Sequence, residues 1–169
     1  MLCAWASISE KGSVNGQKGD QTKKEVKIGN YYNFGQTKFI RFKDACIAKR
    51  IAIAACRIAV NDNIGYGQMD RASSYALFHN IKWNIDKIKE VGQSNIDCSE
   101  MALSCVNFAL GKEVLSALLY TGNLQSGIIC MGKKENIDVV VYDKLKESEL
   151  KAGDIVLSPG HHVIVCIGN

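Results

Sequence analysis

Asn95-Ile96-Asp97-Cys98-Ser99-Glu100 runs without a break into Met101–Leu110, whose residues Met101, Ala102, Cys105, Val106 and Ala109 recur at helical spacing. Asp97 stands where an N-cap belongs, so Cys98 falls in the first turn of the helix. A helix start presents free N–H groups and a partial positive charge, and both favour thiolate over thiol. That is the state a nucleophilic cysteine needs. The backbone N–H of Cys98 is also a candidate oxyanion donor. By itself, a cysteine at a helix start is equally consistent with a small packed residue.

Beyond this stretch the C-terminal segment AGDIVLSPGHHVIVCIG, residues 152–168, carries the second chemical signal. Short apolar strands are expected at Ile155–Leu157 and Val163–Ile167, around a Ser158-Pro159-Gly160 turn. A histidine at 161 or 162 therefore opens a strand. If that strand lies beside the Cys98 helix, its imidazole can take the thiol proton. A zinc site from Cys98, Cys105, His161 and His162 is a poor fit, because cysteines seven residues apart on a helix lie about 10 Å apart.

Toward the N-terminus, residues 9–24 are polar and glycine-rich and read as an arm. Strand-like pieces at 25–32 and 37–42 flank Asn33-Phe34-Gly35, which suits a hairpin. Asp44 is a candidate cap for a largely buried helix reaching about Val60. Asp70 or Ser73 can start a second helix running to Trp83, residues 84–95 look superficial, Leu115–Ser126 suits a short helix, and Val139–Tyr142 a strand. The sum is α+β, with helices packed on a small antiparallel sheet. Residues 1–43 are expected as an arm and β-hairpin, and 44–169 as the catalytic core.

The 169 residues fit one domain. The net charge of +4 comes from scattered lysines, which argues against a nucleic-acid partner and suits a soluble protein or an anionic wall polymer. No apolar stretch is long enough to span a bilayer. The seven cysteines include no C-x-x-C pair and mostly sit in apolar runs, so they read as reduced thiols. MLCAWASISEKG does not read as a signal peptide, so the chain is expected to be made in the cytoplasm and to reach the wall after release.

DCS before an apolar helix, followed by AGDIVLSPGHHVIVCIG, resembles the NlpC family of papain-like cell-wall endopeptidases. ASISEKGSVNGQKGDQTKKEVKIGNYY (6–32) and NDNIGYGQMDR (61–71) resemble phage and prophage endolysin catalytic domains. The resemblance implies a papain-like fold, bacterial peptidoglycan as substrate, and hydrolysis of a peptide bond without metal or organic cofactor. It matches Cys98 to the family's nucleophile and His162, rather than His161, to its base. The family usually carries a third polar residue on a strand after the base, and this sequence ends before one. Asp20 is the first expected substitute and Glu25 the second. Tyr66, Gln68, Asp70 and Arg71, with His161, are candidate substrate-binding residues, an arginine fork being suited to stem-peptide carboxylates. Rival readings are a CHAP-type amidase, an interbacterial toxin with the same Cys-His site, and a non-catalytic wall-binding module. The last is disfavoured by the absence of repeats and of aromatic enrichment. Oligomeric state is not legible.

Overall fold

The apolar N-terminal pentapeptide forms a strand, β1 (Leu2–Ala6), in the computed structural model, which describes residues 1–168. There follow β2 (Val26–Asn30), β3 (Lys38–Phe42), α1 (Ala45–Ala59), β4 (Ile64–Tyr66), α2 (Arg71–Asn80) and a 3-10 helix at Ile85–Glu90. The rest comprises β5 (Ser94–Ile96), α3 (Cys98–Leu110), α4 (Leu124–Glu135), β6 (Val139–Tyr142), β7 (Ile155–Ser158) and β8 (His162–Gly168). Six strands make one antiparallel sheet in the order β2-β1-β8-β7-β3-β6, and β4 and β5 form a separate parallel pair. The fold is thus α+β, with helices on one face of a small antiparallel sheet.

The expected hairpin at 25–42 does not form. β2 pairs with β1, whereas β3 pairs with β7 and β6. Three strands separate β2 from β3, a distance of about 19 Å at ordinary strand spacing. The eight steps from Asn30 to Lys38 reach at most about 28 Å. The intervening segment must therefore run extended across the sheet, and Asn33-Phe34-Gly35 is part of that crossing. β1 escapes sequence reading for a related reason. Cys3 and Trp5 are buried on one face and Ala4 and Ala6 on the other, so the strand shows no polar alternation.

The sheet has two cores. Ala4, Ile40, Phe42, Leu157, Val163 and Val165 pack against Ile51, Ala55 and Ile58 of α1 and against Met101, Cys105 and Val106 of α3. The outer face holds Cys3, Trp5, Phe39, Val156, Ile164 and Cys166, covered by Tyr31, Phe34, Tyr142 and Leu145. Asp44 caps α1 by accepting the N–H groups of Cys46 and Ile47. Arg50 of α1 donates to the carbonyls of Phe108 and Ala109, tying α1 to the end of α3. The turn into β7 needs glycine at 153: φ is +89°, and a Cβ there would stand 2.3 Å from the carbonyl oxygen of Ala48. The next residue, Asp154, is buried and takes a two-pronged ion pair from Arg41 at 2.7 and 2.6 Å.

Candidate active site

α3 begins where the sequence expects. Asp97 accepts the N–H of Glu100 at 2.7 Å and the hydroxyl of Ser99 at 2.7 Å, closing the first turn. Cys98 is the first helical residue and is mostly buried. The sheet opens at that point. β1 and β8 pair as far as Ala4 opposite Val165, while β1 stays paired with β2 through Ala6 opposite Val26. In an antiparallel strand, alternate N–H groups face alternate neighbours. Cys166 donates to Asp154 on the β7 side, so the odd-numbered N–H groups of β8 face β1. The N–H of Val163, which has no β1 partner, lies near the Cys98 thiol and favours its thiolate. Cys98 thus stands near the start of β8, by the residue that follows His162.

Burial decides the resting charges. It pushes the Cys98 thiol up to about 12, and the neighbouring Asp97 carboxylate adds to the push. The N–H groups of Val163, Ser99 and Cys98 itself act the other way. The helix start therefore does not yield a free thiolate, contrary to expectation, because desolvation outweighs the helix-end field. His162 is pulled down to about 4 by burial, so its imidazole is neutral at pH 7. A neutral thiol beside a neutral histidine strand suits proton transfer during attack rather than a pre-formed ion pair.

Three aromatic residues unmarked by sequence reading form a row that ends on the histidine. Phe34 meets the His162 ring edge-on at 5.3 Å, Tyr32 packs on Phe34 at 5.3 Å, and Trp5 on Tyr32 at 5.3 Å. Phe34 packs on the imidazole and is itself backed by Tyr32 and Trp5, each contact contributing about 1 kcal/mol. The sequence signal was the density of aromatics at 31–34, read there as a turn. Phe34 also lines an open cleft of about 960 Å³ on the outer face, with Lys38, Lys144, Pro159 and His161 on its walls.

The remaining candidates divide. Tyr66, opposite Ile96 in the β4–β5 pair, is buried beside Cys98 and Asp97, and burial pushes its hydroxyl up to about 12. Gln68 and Asp70 lie toward the surface, Asp70 near Lys18 at 3.9 Å. Arg71 turns inward: its Nε stands 3.3 Å from Asp97, and its Nη2 donates to Ser99 and to the carbonyl of Leu119. Its fork is engaged inside the protein, not held out to a substrate carboxylate. His161 is exposed on the turn. Asp20 is not a histidine partner but a loop closure, its two oxygens accepting the N–H groups of Thr22, Lys24, Glu25 and Val26. Glu25, the second choice, is likewise spent on Gln21 and Tyr66, whose N–H groups it accepts. The strand position next to β8 that the expected third residue would occupy is taken by β1.

Fold and site define an α+β domain with a buried cysteine at a helix start, set against a histidine-led strand. Residues 3–169 match the endolysin-like domain family, and the chain belongs to that family. Membership points to a cell-wall lytic role with peptidoglycan as substrate. Comparison with curated proteins and with solved structures returned no match.

Proposed function

We propose that this endolysin-like domain is a papain-like cysteine peptidase that hydrolyses a peptide bond of bacterial peptidoglycan, reaching the wall after release. The observation that carries the reading is the place of Cys98: the first residue of α3 lies near the Val163 N–H, at the start of the strand that His162 opens. His162 accepts the thiol proton as sulfur attacks the substrate carbonyl. The N–H groups at the start of α3 receive the developing oxyanion. His162 then protonates the leaving amine, and water, deprotonated by His162, cleaves the thioester and restores the thiol. Phe34 packs against the ring and restricts its orientation.

Digestion of purified walls followed by end-group analysis tests the proposal. New amino termini within the stem peptide or cross-bridge are expected. Release of L-alanine amino groups alone would mark a sugar–peptide amidase with the same chemistry, and new reducing sugars would overturn the cysteine mechanism.

A further inference from the structure

The start of α2 brings a guanidinium to the buried cap of α3. Asp97 is 5% exposed, and its neighbour in sequence is Cys98. Its Oδ1 is occupied by Ser99 and Glu100, and its Oδ2 faces Arg71 at 3.3 Å. Arg71 also donates to Ser99 at 3.4 Å and to the Leu119 carbonyl, so two separate segments, the start of α3 and the loop at Leu119, fix its position. A buried carboxylate next to a thiol opposes thiolate formation unless a cation compensates it.

We propose that Arg71 is a positioning residue for the nucleophile: its guanidinium offsets part of the Asp97 carboxylate's field, so that Asp97 caps α3 as an anion while opposing ionisation of Cys98 less than an unpaired carboxylate would. The proposal rests on the reading of Cys98 as nucleophile. The titratable and charged groups around the start of α3 come from several elements. Asp97 and Glu100 lie on its own helix side, His162 on β8, Tyr66 on β4, Tyr32 on the crossing segment and Arg71 on α2. Burial raises the Glu100 carboxyl well above its ordinary value, keeps His162 neutral at pH 7, and raises both tyrosines. The Asp97–Arg71 pair is the ion pair at the residue next to Cys98.

Alkylation of Cys98 by iodoacetamide, followed peptide by peptide by mass spectrometry from pH 6.5 to 9.5, reads thiolate formation directly and does not depend on wall lysis. The exposed Cys46 serves as internal standard. Arg71→Gln should slow Cys98 labelling about tenfold at each pH, an unpaired charge at this range being worth about one pKa unit or more. Asp97→Asn keeps a good cap and removes the charge, so it should label faster than wild type. The double variant Arg71→Gln/Asp97→Asn should return to within about threefold of wild type, and Arg71→Lys should stay within about threefold. A purely structural role would leave the double variant as slow as Arg71→Gln, and that result overturns the proposal. So does Arg71→Gln labelling at the wild-type rate. Should Arg71→Gln fail to fold by circular dichroism, Asp97→Asn decides, and labelling no faster than wild type overturns the idea. Loss of the hydrolase reading would show separately, as wall lysis by Cys98→Ala.

Discussion

The two ends of β8 are built differently. At the Cys166 end the strand is paired on both sides: Cys3 lies opposite in β1, with the two sulfurs 3.5 Å apart, and Cys166 bonds the Asp154 turn on the β7 side. At the His162 end β7 remains paired, but the β1 ladder has ended and a helix start lies nearby. A sheet cannot leave a buried N–H unpaired without cost. At Val163 no β1 residue stands opposite, and the N–H lies near the Cys98 thiol. The closed end holds the fold, and the open end offers a place for chemistry.

The largest expected effect is at the open end. His162→Ala should cut wall lysis by about a thousandfold or more, as loss of a general base does, while His161→Ala on the exposed turn should keep a measurable part. Turbidity assays on purified walls would separate the two, and the reverse ranking would place the base one residue earlier. At the closed end, Asp154→Ala strands the Arg41 guanidinium in a largely buried site and should cost about 3–5 kcal/mol. Urea unfolding would report it, and a loss below about 1 kcal/mol would mean that the turn does not anchor β7.

Acidification should also distinguish the ends. Above pH 6.5, the ordinary histidine value, His162 is neutral in both folded and unfolded chains. As pH falls toward about 4 the unfolded chain takes a proton that the buried ring refuses. Stability present above pH 6.5 should thus decline by about 3 kcal/mol over that window. His162→Gln, which cannot titrate, should show a shallower decline in melting temperature between pH 6.5 and 4. Identical slopes would mean that the ring is solvated. A smaller effect is expected at the loop once expected to supply the third residue. Asp20→Asn should lose about 1–2 kcal/mol of stability with lysis by the folded protein unchanged, since its contacts are structural.

The parts that could be read from the sequence are those whose signals are local. Asp44 and Asp97 marked helix starts, and the apolar runs at 139–142, 155–157 and 163–167 marked strands. The parts that could not are set by distant contacts. β1 looks featureless because both its faces are buried, and the crossing at 31–37 looks like a turn until the strand order is known. The helix expected at 115–126 lies instead at Leu124–Glu135, where Leu124, Ile128 and Met131 form the buried stripe. The apolar residues before it are partly outside, with Leu118 84% exposed. In the site, Cys98 and His162 stood out by motif. The Val163 N–H, Phe34 and the inward turn of Arg71 depend on tertiary placement that no local pattern encodes.

Lysis of purified walls by Cys98→Ala beside wild type, with both proteins shown folded by circular dichroism and thermal melting, tests the cysteine mechanism most directly. Cys98→Ala should leave the walls intact at enzyme concentrations about a thousandfold above those at which wild type clears them. Clearing by Cys98→Ala at the wild-type rate would contradict it, and the opening between β1 and β8 would then be a packing feature with no part in catalysis.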